Sequence, residues 1–407
     1  MKIGILGAGV SGLSAGRLLA GKHEVEILER DHEIGGIARV RMVDGVPYHT
    51  VGGHCLNSRD ATVMEFVYDA LPRDQWHAVQ RVAKIAFKGR LIDYPIEFSV
   101  RQIAEFDEEL AFRIVRDFLG ARDGDAPNLD AWFRMKFGDT LAAEYLIPYN
   151  QKIWGRPPSE MSPVWVEGKL PTPSRMEMFR GLLRQQKDSM PHATFAYPNA
   201  NTQNAFLAAL AAGLTITRDY PVTRLERDGA GWLVNGEKRF DAIISTLPLK
   251  VTPSLVAGAP ASVLNASALL RYNKVSNMLW ETDEVEATWT YHPDASTIFH
   301  RHIHIGNFTV PRTNHTITEA VGEQSPEVME REGRQFDYLK RPVDHHISNY
   351  AYVVYDHHYA PNVALIKQYF SDVGFHTLGR FGEWEYYNMD VCIASAMKLA
   401  QTLERQQ

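Results

Sequence analysis

The chain has 407 residues, 45% hydrophobic and 23% charged, an ordinary globular composition that excludes disorder and collagen-like repeats and allows more than one domain. Lys and Arg total 43 against 49 Asp and Glu, a net charge of −6, so no global field draws nucleic acid or an anionic membrane and any phosphate must be met locally. The two cysteines, Cys55 and Cys392, are too few for a disulfide framework or a Cys-based zinc site, which suits a reducing cytoplasm. No apolar run reaches the roughly 18 residues needed to span a bilayer. Glycines interrupt the apolar amino terminus within a few residues, so it reads as a strand and turn and not as a signal peptide.

Lys2 to Leu6 is a short β-like run that enters Gly7-Ala8-Gly9-Val10-Ser11-Gly12, after which Leu13, Ala15, Leu18 and Leu19 repeat at helical spacing. In this strand, turn and helix, Gly7 permits the tight turn, Gly9 lets a pyrophosphate approach the backbone, and Gly12 lets the helix lie close to the sheet. Val25 to Leu28 then reads as a second strand ending in Glu29, where a carboxylate can accept from ribose hydroxyls. Arg30-Asp31-His32-Glu33-Ile34-Gly35-Gly36 adds a second close backbone approach, which suits a flavin dinucleotide lying extended along the sheet. The pattern resembles the FAD-binding start of the amine oxidase, protoporphyrinogen oxidase and UDP-galactopyranose mutase superfamily. No second GxGxxG follows, since Gly229-Ala230-Gly231 reads as a turn, so electrons for the flavin are expected from an external donor.

Arg101 to Gly155 is helix-rich, with one apolar stripe at Phe112, Val115, Phe118 and Leu119 and another at Trp132, Phe133 and Phe137. Leu207 to Ile216 predicts a core helix running into a strand. Val222 to Leu225, Trp232 to Val234 and Ala242 to Leu247 form a β-meander with Asn235-Gly236 as a hairpin turn. Short β-like runs recur from Met278 to Tyr355, and Asp390 to Glu404 closes the chain as a helix with Cys392, Ala396, Leu399 and Leu403 on one face. The expected fold is α/β: a Rossmann-like FAD-binding domain (1–75, 197–250 and 374–407), an inserted helical subdomain (100–185) and a mostly antiparallel substrate-facing sheet (76–99 and 251–373).

Further segments resemble the UDP-galactopyranose mutase family specifically. Val51-Gly52-Gly53-His54 is similar to its Gly-Ala-His segment, whose His lies near the flavin ring. Tyr149-Asn150-Gln151-Lys152-Ile153-Trp154-Gly155-Arg156 is similar to its Tyr-x-x-Lys-x-Trp-Gly-Arg, and Lys169-Leu170-Pro171 falls where the family has Arg-Ile-Pro. Arg301 resembles a diphosphate-binding Arg, and Gly379-Arg380 with Tyr386-Tyr387-Asn388-Met389 resembles Gly-Arg and Tyr-Tyr-Asp-Met. The resemblance implies Arg301, Lys169 and His54 at the reacting centre and Tyr149, Trp154, Tyr352 and Tyr386 on the substrate. Gly7, Gly9, Gly12, Glu29, Arg30, Gly35, Gly36, Val222, Gly379, Arg380 and Met389 fall to the cofactor.

The chemistry so implied uses N5 of reduced FAD as nucleophile on the anomeric carbon of a nucleotide sugar. The sugar opens and recloses between pyranose and furanose with no net redox, and the protein supplies positioning, cations for the diphosphate and exclusion of water. Three departures bear on the substrate: Lys169 stands for a bidentate Arg, Asn388 for an Asp, and the polar run Tyr197 to Asn204 for a Gly-Gly segment. The alternative is an FAD-dependent oxidase or desaturase of the amine or protoporphyrinogen type, which has no use for Arg301 and Lys169; a third reading is a noncatalytic flavin-binding module. His300, His302 and His304 alternate on a strand but lack an evident acidic partner, so no metal is assigned, and Arg301 is expected to point the other way. The charge-rich Glu319 to Arg334 stretch reads as a solvated loop or helix face. A homo-oligomer is compatible with the sequence; nucleic-acid and membrane partners are not expected.

Overall fold

The computed structural model describes residues 1–166, 170, 172–183 and 193–405. The amino-terminal strand Lys2–Leu6 becomes the centre of a five-stranded parallel sheet, flanked by Glu24–Leu28 and Thr215–Thr217 on one side and by Ala242–Ser245 and Phe375–Thr377 on the other. Its side chains alternate. Ile3 and Ile5 pack against the helices Val10–Leu19, Asn204–Ala211 and Met389–Arg405, while Leu6 joins Leu28 and Ile243 under the meander Leu225–Asp228, Gly231–Val234 and Lys238–Phe240. Gly4 faces the meander, where a Cβ would sit 2.8 Å from the Phe240 ring, so only glycine allows that packing. The Asn235-Gly236 turn has φ of 53° and 76°, both positive as a two-residue I′ hairpin requires.

The second sheet has seven strands in the order Leu339–Val354, Arg271–Thr282, His315–Val321, Phe299–Ile303, Trp289–Tyr291, Ala83–Phe87 and Arg90–Asp93. Its pairs are antiparallel except Trp289–Tyr291 with Ala83–Phe87. A separate ribbon pairs Trp76–Gln80 with Thr194–Pro198.

A helical layer packs against the seven-stranded sheet. Asp107 caps Glu108–Phe118 by accepting from Leu110 N–H, Asn128 caps Leu129–Phe137 by accepting from Ala131 N–H, and Gly155, at φ 63°, ends Ile147–Trp154. The buried stripe of the first helix is Leu110, Ala111, Ile114 and Phe118, and the expected Phe112 is 61% exposed. Aromatic bulk suggested a face that the aliphatic residues, four apart, actually set. A second expectation is also corrected: the Glu319 end of the charge-rich stretch is not solvated, because Glu319 lies fully buried within His315–Val321. Among the described residues no helix is long and apolar enough to cross a membrane.

Candidate functional site

The carboxyl ends of Lys2–Leu6 and Glu24–Leu28 open onto two glycine turns that face each other. Gly7 has φ 100°, and a Cβ on Gly12 would fall 2.0 Å from Gly7 O, so helix Val10–Leu19 can begin at this distance from the turn only with glycine. Gly9 forms an isolated parallel bridge with Gly35, whose N–H donates to Ala8 O at 2.8 Å, and a Cβ on Gly36 would lie 3.3 Å from Gly9 Cα. No side chain caps the helix at Gly9, which leaves its first N–H groups for an anion. Glu29 is buried and fixed by two backbone donors, Ala8 N–H at 2.7 Å and Asp31 N–H at 2.9 Å. Tyr220 N–H donates to Glu29 O, which brings half-buried Val222 to the same end of the groove.

Arg30 is turned to solvent on Asp31 at 3.4 Å, whereas Arg39, not singled out in the sequence, lies beside the second glycine turn with Nη1 donating to Glu33 O at 2.9 Å. Gly379 (φ 79°) closes the groove against the first helix, since a Cβ there would meet Ser11 Oγ at 2.0 Å. Met389 begins the last helix and packs into the same core as Val10. Paired glycine turns, an uncapped helix start and a buried carboxylate at the end of the second strand fit an extended flavin dinucleotide.

At the next position along the cleft, five contacts converge on one carboxylate. Glu319 Oε1 receives Arg301 Nε at 2.8 Å and Nη2 at 2.6 Å, the Tyr352 hydroxyl at 2.9 Å and His300 Nε2 at 2.9 Å, and Oε2 receives Gly52 N–H at 2.7 Å. Despite the desolvation of its site, Arg301 and His300 hold this carboxyl far below the ordinary range, so it is ionised. Tyr352 in turn accepts from Arg301 Nη2 at 2.8 Å. His300 and Arg301 therefore reach the same group instead of opposite faces, because a bulge between Phe299 and Arg301 breaks the alternation. The expectation that His300 lacks an acidic partner is corrected with it. His302 and His304 are bound by Tyr338, Thr290 and Thr316 hydroxyls.

Tyr386 stacks on Tyr352 (5.9 Å, 9°), and Arg380 lies 4.5 Å over the Tyr386 ring. Arg380 also donates to Tyr387 O at 3.0 Å and Ala351 O at 2.5 Å, pinning the last sheet strand to the flavin domain. Trp154 presents its edge to Tyr352 and Tyr386 at 6.0 and 6.4 Å. His54 faces Arg380 and Arg301, and burial together with those two cations lowers its pKa to about 4, so it is a neutral imidazole. Behind it His49 stacks at 5.9 Å, accepts His54 N–H at Nδ1, and therefore carries its own proton on Nε2, toward Tyr197 OH at 2.8 Å. Gln203, from the polar run, donates to His54 O at 3.2 Å and keeps a buried, unpartnered Oε1.

The cleft continues into a group that sequence reasoning did not single out. Tyr149 stacks on Tyr145 (5.5 Å) and meets the edge of Tyr291 (5.8 Å), which is the strand neighbour of Arg301. Arg81 donates to Tyr291 OH at 3.2 Å and sits 5.2 Å from the Trp289 ring and 5.6 Å from Tyr94. Among the described residues no carboxylate pairs with it and its Nε has no partner. Lys152, from the Tyr-x-x-Lys motif, points away from the cleft and donates to the carbonyls of His292 (2.9 Å), Phe299 (3.0 Å) and Asp294, strapping the turn that leads into Arg301. Lys169 lies outside the described residues.

A family profile described as flavin containing amine oxidoreductase matches residues 10–307. Solved structures similar to this one include a reduced UDP-galactopyranose mutase, 20% identical over 100% of this chain and 96% of that one, with a TM-score of 0.86. A putative protoporphyrinogen oxidase from Exiguobacterium sp. 255-15 is 17% identical over 100% and 99%, with a TM-score of 0.76. A putrescine oxidase double mutant, redesigned in cofactor binding, is 14% identical over 99% of each chain, with a TM-score of 0.63. At these identities the likeness is one of fold.

Proposed function

We propose that this chain, which belongs to the flavin containing amine oxidoreductase family, interconverts the pyranose and furanose forms of a nucleotide sugar without net oxidation. The observation that carries the reading is the pair of buried guanidiniums along one cleft: Arg301, oriented by Glu319 and Tyr352, and Arg81, which no described carboxylate neutralises. A cleft with surplus positive charge suits a diphosphate leaving group and repels the ammonium form of an amine substrate.

The glycine turns would hold FAD, which, reduced by an external donor, would supply the nucleophile for this chemistry. Arg301, with Nε and Nη2 held by Glu319 and Tyr352, turns Nη1 to the departing phosphate in a direction already fixed, so little reorganisation accompanies the step. Tyr149, Trp154, Tyr352 and Tyr386 wall the cleft and keep water from the opened sugar. His54, neutral at physiological pH, can donate or accept one hydrogen bond without adding charge beside the ring. The enzyme acts in the cytoplasm.

The test is purification with flavin, reduction by dithionite and incubation with a panel of nucleotide sugars. The expected results are furanose product under reducing conditions and, with cyanoborohydride, label from the sugar on the flavin. Arg301→Ala is expected to weaken nucleotide diphosphate binding by more than tenfold with the flavin spectrum intact. Turnover that consumes oxygen and releases peroxide overturns the proposal in favour of an oxidase.

A further inference from the structure

Helix Ala61–Ala70 and the ribbon of Trp76–Gln80 with Thr194–Pro198 border an open pocket of about 390 Å3, within the roughly 300–1,000 Å3 span of small-molecule sites. Its wall is chemically one-sided. Among the described residues, Arg59 and Arg73 are the Arg or Lys side chains that line it and no acid does, in a chain whose net charge is −6. Among the described residues neither guanidinium has a hydrogen-bonding or carboxylate partner, and Arg73 is held 4.4 Å over the Tyr68 ring. Tyr68 and Trp76 stand nearly perpendicular (6.5 Å, 81°), with the Trp76 indole fixed by donation to Leu71 O at 3.0 Å, so two aromatic side chains are preset beside two cations that no described carboxylate neutralises.

We propose that this cavity binds an aromatic anion of mononucleotide size, its phosphate met by Arg59 and Arg73 and its ring set against Tyr68 and Trp76. Guanidinium forks match phosphate oxygens, and a flat ring gains contact on preset aromatic faces at low entropic cost. The site is separate from the flavin groove. Its floor is the bridge between Leu56 and Ala196, with N–H to O distances of 3.1 and 2.8 Å, and Leu56 stands two residues after the neutral His54. Occupancy therefore bears on the segment that carries His54 and reaches the reaction cleft only through it. The inference does not depend on the mutase reading.

The probe is AMP, titrated calorimetrically into the full chain saturated with FAD, so that the adenine end of the flavin groove is already filled. The expected result is one site whose affinity falls with salt, at least tenfold weaker for adenosine and for inorganic phosphate alone, since each presents half of the recognised chemistry. Arg59→Gln with Arg73→Gln, both exposed side chains, is expected to weaken AMP by at least tenfold while flavin content is unchanged. Ala78→Phe, which fills the cavity from its wall, is expected to abolish binding with the arginines intact. AMP affinity that survives both variants, or AMP that is displaced by UDP and lost with Arg301→Lys, overturns the proposal by putting the nucleotide in the reaction cleft; absence of any AMP binding overturns it outright.

Discussion

Glu319 is the side chain on which the cleft's geometry turns, since it both neutralises Arg301 and fixes the direction of its fork. Removing one member of a buried ion pair leaves the other uncompensated, at a cost of about 3–5 kcal/mol. Glu319→Ala is therefore expected to lower Tm sharply in calorimetry, and Glu319→Ala with Arg301→Met to recover part of the loss; equal Tm for the two would mean that the pair contributes nothing as a pair. Arg301 was legible from its resemblance to a diphosphate-binding residue, but its carboxylate was not. An acid at the start of a charge-rich run reads as solvated, and only the strand register that sets Arg301 opposite Glu319, with Gly52 and Tyr352 arriving from distant segments, shows it to be buried. Arg81 escaped notice for a similar reason: an isolated Arg before an apolar strand has no local signal, and its aromatic surroundings come from other parts of the chain.

Elements with a local cause were read closely. The glycine turn and the Asn235-Gly236 hairpin are dictated by backbone sterics at single positions, and the last helix, Met389–Arg405, by the spacing of its own apolar residues. The turn yields a direct expectation: Gly12→Ala, whose Cβ would meet a backbone oxygen that cannot swing aside, should give protein purified without flavin and lacking its visible absorption. The long strands Arg271–Thr282 and Leu339–Val354 were seen only as short runs, because three register shifts between them interrupt the alternation that marks a strand. The Lys152 strap was hidden as well, since its partners are carbonyls and no side chain advertises them. Lys152→Met should raise KM for the nucleotide sugar more than it lowers flavin content, as the three carbonyls lose their donor and the turn before Arg301 loosens. Burial lowers the Lys152 pKa to about 8, so the unsubstituted protein should show the same rise in KM above about pH 8, where the amine keeps two hydrogens for three acceptors. A flat KM across that range would remove the strap from the argument.

Across the whole molecule, burial keeps His49, His54, His292, His300, His302 and His304 neutral in the fold, all with lowered pKa values. In the unfolded chain each takes up a proton below the ordinary imidazole value of 6.5. Below that pH the unfolded state binds more protons than the fold, so this stability is whole above about pH 6.5 and drains away as pH falls toward the depressed values, about 4 for His54 and about 3 for His292 and His304. His54, His292 and His304, whose folded values lie well below this interval, each lose about 1 kcal/mol between pH 6.5 and about pH 5.5. Tm should thus fall steeply over this interval, and a Tm indifferent to pH between 7 and 5 would show that these rings are solvated. The histidines of Phe299–Ile303 were visible as a pattern, but His302 is covered by Phe336 and Tyr338 and His300 by Tyr352, in segments that carry no hint of it. The five-stranded sheet has a different consequence, for biosynthesis. Its central strand Lys2–Leu6 leaves the ribosome before its neighbours and can pair early with Glu24–Leu28, yet its other edge waits for Ala242–Ser245 and that strand in turn waits for Phe375–Thr377, so the nascent sheet keeps an open apolar edge until translation is nearly over. Gly379, which closes the glycine groove against the first helix, is made later still, so nascent chains arrested before Phe375 should engage chaperones and remain colourless.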